Sequence, residues 1–229
     1  MPPQLLVARL GRMAYAEALA LQRAVARARI RDELTEDVLL LVEHPPVITL
    51  GRSSKERHLM ASAELLAARG VELFEVERGG DVTFHGPGQL VGYPILDLER
   101  HRKDLHWYLR QVEEALIRTV GAWNVAGERS AGYTGVWTGG GARKLASIGV
   151  HARDWVTWHG FALNVTTDLA YFDLIVPCGI QDVVMTSMAR EAGLAELPLE
   201  HVATAAAAAF GEVFALDPVP APELLARME

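Results

Sequence analysis

The sequence predicts an α+β domain in which a mixed, mostly antiparallel β-sheet is flanked by helices. Segments with strand character cluster in the middle of the chain, and helical segments lie towards both ends. Strands and helices do not alternate in the regular way that a parallel sheet requires. The 229 residues are 50% hydrophobic, which is enough for one sizeable core. We therefore expect a single domain over residues 1–229, with a small helical appendage in the last ~40 residues as an alternative.

The first half of the chain contains well-marked element ends. The apolar strand at 37–43 stops at Pro45 and Pro46, because proline cannot donate to a β-ladder. Ser62 is placed to cap a helix that runs to Arg69, after which Gly70 supplies a left-handed stop. The other predicted elements are a strand at 5–10, a helix at 15–31, and strands at 47–50 and 71–76.

The second half combines a long helix with further strands. Asp104 is placed to cap a helix that reaches about Trp123. A strand at 89–98 is expected to be interrupted by Pro94, and glycines separate several short β segments between 132 and 164. The remaining predictions are a loop or short helix at 167–188, an Ala-rich helix at 198–214 and a short helix at 222–228.

Composition excludes several classes of protein. The net charge is −7 and the pI is near 5.6, which argues against a general nucleic-acid binder because phosphate contacts need a basic surface. The N-terminus lacks the basic flank and apolar segment of a signal peptide. No apolar run approaches the ~20 residues of a membrane span. We expect a cytoplasmic protein that does not enter a membrane, and a monomer.

The chain has one cysteine and few lysines, and these residues are candidates for a chemical role. Cys178 is the one cysteine, so it is either a buried apolar residue or a reactive thiol. Only three lysines occur, Lys55, Lys103 and Lys144, against nineteen arginines. A chain that uses arginine for plain positive charge can retain a lysine for its ability to give up a proton. For Lys55 and Lys103, in polar segments, chance retention is the simpler interpretation.

Residues 77–89 form the first segment that suggests chemistry. Five of the thirteen residues are Gly or Pro, and Arg, Asp, Thr, His and Gln lie among them. Glycine allows a backbone to approach a ligand closely. Neither GxxxxGK[ST] nor GxGxxG is present, so this is not a phosphate loop. A ligand loop and an ordinary glycine-rich loop both remain open at this point.

Two further segments place single residues in unusual settings. Lys144 follows a triple-glycine turn and leads an alternating apolar strand, so it is either a desolvated base or a lysine that reaches solvent along its stem. Cys178 stands between Pro177 and Gly179, which puts the thiol on a turn where backbone N–H groups could stabilise an oxyanion.

Metal and serine-hydrolase chemistry find no support. The eight histidines show no HExxH motif and no i,i+4 pair, and CxxC is absent, so we expect no metal and no cofactor. The G-x-S-x-G elbow of hydrolases is also missing.

Together, four motifs resemble those of one family, the lipoyl(octanoyl) transferases, in the family's order. Residues 78–89 resemble its RGGxxTxHGPGQ loop, and 143–150 resemble its K-[IL]-A-[SA]-[IL]-G segment. Residues 159–165 resemble HGxALNV, and 177–180 with Thr186 and Ser187 resemble PCGI…TS. The resemblance spans about residues 43–188.

The resemblance implies the fold of biotin and lipoate protein ligases and transfer of octanoyl from acyl carrier protein to a lysine of a lipoyl domain. It implies Cys178 as nucleophile and Lys144 as its base. The acceptors would be lipoyl domains of 2-oxoacid dehydrogenase complexes and the glycine-cleavage H protein. The residues implied to bind the acyl group are Arg78, Gly79, Gly80, Asp81, Val82, Thr83, Phe84, His85, Ser147, Ile148, Gly149, Gly160, Phe161 and Ala162.

Two alternatives remain. One is an ATP-dependent lipoate or biotin ligase with an incidental cysteine, and the other is a non-catalytic acyl-binding module on the same scaffold. For the docking of an acidic carrier protein, the sequence offers a set of candidate arginines: Arg52, Arg57, Arg78 and Arg143.

Overall fold

The computed structural model describes residues 2–180 and 183–224, which contain one large and one small β-sheet. The large sheet has the strand order β12-β1-β2-β6-β10-β9-β8-β7, and β11 pairs with the start of β9. Its strands are β1 (Gln4–Arg12), β2 (Asp37–Glu43), β6 (Gln89–Ile95), β7 (Glu128–Ser130), β8 (Tyr133–Thr138), β9 (Arg143–Arg153), β10 (Val156–Asn164), β11 (Val184–Met185) and β12 (Asp217–Pro220).

Most of the large sheet is antiparallel. The pairs from β2 through β6, β10, β9 and β8 to β7 are antiparallel, whereas β1 pairs in parallel with both β2 and β12. The small sheet has the order β4-β3-β5, with β3 at Val47–Leu50, β4 at Glu72–Glu75 and β5 at Val82–His85. The α+β class with a mixed, mostly antiparallel sheet is confirmed.

Helices cover both faces of the large sheet. The α-helices in the part of the chain that the structure describes are α1 (Tyr15–Ile30), α2 (Ala63–Ala68), α3 (Leu105–Gly121), α4 (Met188–Ala192) and α5 (Leu199–Phe214). One core lies between the sheet and the helices α3 and α5, and a second lies between the sheet and α1. A third core lies under the small sheet. None of the helices in the described ranges has the length and hydropathy needed to cross a bilayer.

The predicted helix caps occur as expected. The Ser62 hydroxyl accepts a hydrogen bond from the Leu65 N–H, and the Asp104 carboxylate accepts from the N–H groups of His106 and Trp107. These side chains satisfy donors that the first turn of a helix leaves without partners. Gly70 has a φ of +61°, in the left-handed region that ends a helix.

Three sequence predictions need correction. Pro94 does not interrupt its strand, because β10 pairs with β6 only as far as Gly92 and the missing N–H of Pro94 costs no bond on that side. The region 132–164 holds two long strands of 11 and 9 residues instead of only short segments. The glycine-rich loop contains strand β5, which was not predicted.

The described part of the C-terminal segment packs against the large sheet and shares its core. Phe210 of α5 stacks on Phe161 of β10 with ring centroids 5.5 Å apart. Strand β12 pairs with β1 and extends the large sheet. Several of its apolar side chains are buried against that sheet, and the division of the chain into domains remains a prediction. The predicted helix at 222–228 extends into residues 225–229, which lie outside the described residues.

A buried ionic cluster joins α1 to the large sheet. Arg29 Nη2 donates to Asp37 Oδ1 at 2.8 Å, and Arg29 Nη1 donates to the Leu34 carbonyl at 2.7 Å. The second carboxylate oxygen of Asp37 lies 2.6 Å from His101 Nε2. Because the guanidinium is 2% exposed, its charge depends on these partners in place of water.

We expect Arg29→Ala to lower the free energy of unfolding by about 3–5 kcal/mol, because it leaves Asp37 buried without its cation. Urea denaturation followed by circular dichroism measures this. Arg118→Ala is the control, since Arg118 forms its ion pairs with Glu114 and Glu212 at the surface and should change little. Equal effects of the two substitutions would contradict the importance of the buried cluster.

Candidate active site

A cavity of about 970 Å³ is lined by β6, β9 and β10 of the large sheet, by β5 and by the turn that holds Cys178. Cys178 and Lys144 both line it. The predicted acyl-binding residues that also line it are Arg78, Gly80, Asp81, Val82, Thr83, His85, Ser147, Ile148, Gly149, Gly160, Phe161 and Ala162. The fold therefore gathers residues of all four sequence motifs around one space.

Lys144 reaches the sulfur of Cys178 directly. Its Nζ lies 3.1 Å from Cys178 Sγ, although the two residues are 34 positions apart in the chain. Lys144 is only 1% exposed, so the stem does not carry the amine to solvent. The Nζ atom also stands 5.1 Å from the centre of the Trp137 ring, where a cation is attracted to the π face.

The backbone around Lys144 is held from two sides. Its neighbours in the sheet are Trp137 of β8 and Met185 of β11. The pairing of β8 with β9 shifts register between Val136 and Trp137, a bulge of the kind that redirects side chains beside active sites. These contacts fix the direction in which the lysine stem leaves the strand.

Gly135 makes room for the lysine stem. It has a φ of +136°, and a Cβ there would lie 2.5 Å from the Ala146 carbonyl and 3.0 Å from Lys144 Cε. The Gly135 N–H donates to Glu113 Oε1 at 3.1 Å, and this fully buried carboxylate of α3 also accepts from Arg110 and Arg129. The buried Glu113 carboxylate and its two arginines thus fix strand β8 beside Lys144.

Cys178 occupies a strained position on a short 3₁₀ turn at Pro177–Gly179. Its φ of 56° and ψ of 18° are left-handed, which costs a non-glycine residue roughly 1–2 kcal/mol. Such conformations persist where surrounding contacts enforce them, and they are common at functional sites. The Ser147 hydroxyl, on β9, lies 3.7 Å from the sulfur and is a second polar neighbour.

The turn leaves one backbone donor beside the thiol without an internal partner. The Gly179 N–H donates to the Val176 carbonyl and the Ile180 N–H donates to the Pro177 carbonyl. Within the described residues, the Cys178 N–H has no backbone acceptor. Of the N–H groups of Cys178, Gly179 and Ile180, that of Cys178 is therefore the one that the turn does not use.

The glycine-rich segment supplies a buried cation. Arg78 is 7% exposed and donates to the carbonyl and hydroxyl of Thr49 on β3 and to the Gly79 carbonyl. Burial lowers the pKa of its guanidinium. Gly149 allows this packing, because a Cβ there would lie 3.3 Å from Arg78 Cδ.

Two of the predicted acyl-binding residues do not line the cavity. The Phe84 ring points into the core under the small sheet and stacks on Tyr171, with centroids 4.7 Å apart. Successive side chains of a strand face opposite sides, so Thr83 and His85 face the cavity while Phe84 does not. Gly79 instead donates its N–H to the Val150 carbonyl at 2.8 Å, which ties the segment to β9.

His85 presents an acceptor to the cavity. Its Nδ1 lies 2.9 Å from Gln89 Oε1, and the Gln89 amide nitrogen already donates to Phe84 O and Asn164 Oδ1. Gln89 Oε1 must then accept, so the proton of His85 sits on Nδ1 and Nε2 is bare. Burial lowers the pKa of His85 to about 3, which keeps the ring neutral.

Sequence reasoning did not identify several residues at the inner wall. Tyr15 and Tyr93 line the cavity, and the Tyr93 hydroxyl lies 2.7 Å from His44 Nε2. His44 Nδ1 donates to the Met13 carbonyl, and burial lowers the pKa of His44 to about 4. These residues come from separate elements and share no short motif, so no local pattern in the sequence joins them.

His58 was also missed. It lies in a polar segment without periodicity, yet it lines the cavity and bonds to Asp81. The other cavity residues outside the predicted set are Arg57, Met60, Val91, Gly132, Tyr133, Thr134, His159, Val176, Gly179 and Ile180.

The four arginines suggested for carrier docking occupy different environments. Arg78 is buried and Arg143 forms a double ion pair with Glu191, so neither is free to meet a partner protein. Arg52 is exposed and lies 2.8 Å from His151 Nδ1. Arg57 is exposed at the cavity mouth, and within the described residues it has no carboxylate within ion-pair distance.

Comparison with known proteins gives consistent results. Residues 14–211 match the family model of the lipoyl protein ligase A/B catalytic domain. An octanoyltransferase of Acidobacterium capsulatum is 55% identical over 217 residues, covering 90% of this chain and 88% of that protein. An octanoyltransferase of Chloroflexus aurantiacus is 50% identical over 210 residues, covering 91% and 93%.

A solved structure shares the fold. A bipartite lipoate protein ligase of Thermoplasma acidophilum superimposes with a TM-score of 0.77 over 99% of this chain and 90% of that chain. The identity is 15%, so this likeness concerns the fold alone. It confirms the ligase-like fold that the sequence motifs implied.

We expect stability to fall as the pH drops from about 6.5 towards 4, because the unfolded chain binds protons at His44 and His85 that the folded chain does not. Both folded pKa values are depressed by burial, to about 4 and about 3. Each histidine should contribute a slope of about 1 kcal/mol per pH unit near pH 5. Urea denaturation at a series of pH values measures the slope.

The variant His44→Gln removes one of these two proton-binding steps and should make the slope shallower, whatever its effect on absolute stability. His106→Gln is the control, because the His106 ring is exposed in the folded chain. An unchanged slope in His44→Gln would contradict the assignment.

Proposed function

This chain belongs to the octanoyltransferase family of lipoyl protein ligase A/B catalytic domains, and we propose that it transfers octanoyl from acyl carrier protein to a lysine of a lipoyl domain. The transfer is the first step of protein lipoylation and passes through a thioester on Cys178. The observation that carries the proposal is the 3.1 Å contact of Lys144 Nζ with Cys178 Sγ inside a large cavity.

In the first half-reaction, the thiol proton moves to Lys144 and the thiolate attacks the carbonyl carbon of the octanoyl thioester. The bond from that carbon to the carrier sulfur then breaks. The carrier thiolate leaves with the proton from the Lys144 ammonium, and octanoyl remains on Cys178. Placing the amine and the thiol in contact before substrate arrives removes much of the entropic cost of this step.

In the second half-reaction, a neutral lysine amine of the lipoyl domain attacks the acyl-enzyme carbonyl. The amine proton passes to Lys144, and the Cys178 sulfur leaves as a thiolate or, on reprotonation, as a thiol. An amide is more stable than a thioester, so the transfer runs downhill without a nucleotide. This agrees with the missing phosphate loop and separates the proposal from an ATP-dependent ligase.

The oxyanion of each tetrahedral intermediate would be held by the Cys178 N–H, which has no backbone acceptor among residues 2–180 and 183–224. His85 carries its proton on Nδ1, in a bond to Gln89, so its bare Nε2 cannot donate to an oxyanion. We assign His85 to the wall of the acyl pocket instead.

The cavity supports an acyl chain together with a second group. Its volume lies at the upper end of the ~300–1,000 Å³ that ligand pockets usually have. Ile148, Phe161 and Ala162 give it an apolar wall on β9 and β10. Each buried methylene contributes about 0.8 kcal/mol, so a medium-length chain gains several kcal/mol of binding.

For partners, we propose acyl carrier protein as donor, and lipoyl domains of 2-oxoacid dehydrogenase complexes and the glycine-cleavage H protein as acceptors. Arg57 at the mouth, with Arg52 and Lys55 in the same exposed segment, would meet the acidic carrier. Met60 lines the mouth and is 64% exposed, which adds an apolar contact beside these charges.

We expect octanoyl carrier to add one octanoyl group to the wild-type enzyme at Cys178, seen by intact-mass spectrometry and peptide mapping. Cys178→Ala should not be labelled. Lys144→Ala should form the adduct at least ~100-fold more slowly, because the proton acceptor is lost. Lys103→Ala is the matched control, since Lys103 pairs with Glu99 at the surface.

The same measurement separates the alternatives. An ATP-dependent ligase would keep its activity in Cys178→Ala and would form an acyl-adenylate from free acid and ATP. A non-catalytic module would bind the octanoyl carrier without forming any adduct. Either result would overturn the thioester mechanism.

We expect Arg57→Glu to raise KM for the octanoyl carrier by about tenfold at low salt, with less effect at high salt, because it reverses a charge at the cavity mouth. Initial rates at several carrier concentrations measure this. Arg27→Glu makes the same change on the exposed face of α1, away from the cavity, and is the control. Equal KM values for the two variants would exclude docking at Arg57.

A further inference from the structure

A buried histidine–aspartate pair lies directly beneath the turn of Cys178. His58 Nδ1 is 2.6 Å from Asp81 Oδ2, and both side chains are about nine-tenths buried. The second oxygen of Asp81 accepts from the Val82 N–H at 2.7 Å. Both carboxylate oxygens are therefore occupied, and the orientation of the imidazole is fixed.

The pair touches the residue that follows the thiol. A Cβ at Gly179 would lie 2.5 Å from Asp81 Oδ2 and 2.9 Å from His58 Cε1. The backbone of Gly179 therefore rests on the pair at a distance that no side chain would permit. Gly179 also has a φ of +65°, so both its conformation and its surroundings require glycine.

The segment that carries His58 is bonded to the chain before the thiol. The Val176 N–H donates to the His58 carbonyl at 2.8 Å, and the Met60 N–H donates to the Leu174 carbonyl at 2.9 Å. The turn of Cys178 is thus held on its N-terminal side by the backbone of His58. It is held on its C-terminal side by contact with the His58 and Asp81 side chains.

We propose that His58 and Asp81 form a positioning pair that holds the turn of Cys178 in its left-handed conformation, with Sγ against Lys144 Nζ. The proposal rests on the proposed function. The pair acts through Gly179 and Val176 and does not exchange a proton with substrate. A left-handed cysteine is disfavoured on its own, so without this support the turn would relax and carry the sulfur away from the amine.

The chain offers a matched control. His101 and Asp37 form another buried pair with the same nitrogen–oxygen distance of 2.6 Å, and neither residue lines the cavity. Loss of either pair removes one buried histidine–carboxylate bond. A general loss of stability should then affect both variants, whereas a positioning effect should appear only at His58.

The experiment measures the rate at which iodoacetamide alkylates the single cysteine, alongside the rate of octanoyl adduct formation and the melting temperature. The variants are His58→Ala, His58→Asn and His101→Ala. Asparagine can place its amide N–H where Nδ1–H of His58 stands, so it keeps the bond to Asp81 without an imidazole. Asp81→Asn is measured as well, in case His58→Ala does not fold.

We expect His58→Ala to lower both rates by roughly 100-fold, since a displacement of about 1 Å at a reacting atom can have that effect. Asp81→Asn should lower them by about tenfold through the weakened bond. His58→Asn should recover most of both rates, and His101→Ala should match the wild type in both, even with a lower melting temperature.

Two results would overturn the proposal. Wild-type alkylation rates in folded His58→Ala or Asp81→Asn would show that the pair does not position the thiol. A His58→Asn variant as slow as His58→Ala would show that the imidazole itself is needed. Alkylation requires no acyl substrate, so it reports on the pair even if the wild-type chain forms no octanoyl adduct, which would count against the proposed function instead.

Discussion

The site depends on one contact between a buried amine and a thiol. Lys144 has almost no exposure to water, so a charge on it must be compensated by the Cys178 sulfur and the face of Trp137. An isolated ammonium in such a place would cost several kcal/mol. The burial of the amine and its position against the sulfur are thus properties of the same pair.

The rest of the fold holds the two ends of that contact independently. Lys144 belongs to the large sheet, where a bulge, Gly135 and the buried Glu113 set its direction. Cys178 belongs to a connecting turn that rests on the small sheet and on the segment of His58. The distance between the Lys144 amine and the Cys178 sulfur therefore depends on how the two sheets pack against each other. This explains why residues far from the cavity opening contribute to its geometry.

The sequence predicted the elements whose ends have a chemical signal. Ser62 and Asp104 cap their helices, and the strand before Pro45 ends where proline requires. Strand β12 could not be predicted, because Pro218 and Pro220 argue against a strand, and its place beside β1 depends on tertiary packing. Strand β5 was not predicted, because the glycines of its segment suggested only a loop.

For the site, composition and spacing indicated Lys144 and Cys178 as candidate catalytic residues, but a purely structural role remained possible for both. The family motifs implied that these two residues act as a pair, and the structure gives the distance between their Nζ and Sγ atoms. Phe84 was included with its motif although strand alternation turns it into the core. His58, Tyr15 and Tyr93 were missed because they meet only in three dimensions. His58 and its partner Asp81 stand 23 positions apart, a separation that no local sequence pattern marks.

The presence of a single cysteine has a consequence for oxidative damage. A thiolate that meets peroxide becomes a sulfenic acid, and many proteins protect that state by condensing it with a neighbouring thiol. This chain has no second cysteine with which to form such a disulfide. Cys178 lies in an open cavity, so recovery depends on a thiol supplied from outside the chain, and without one the sulfur proceeds to irreversible sulfinic acid.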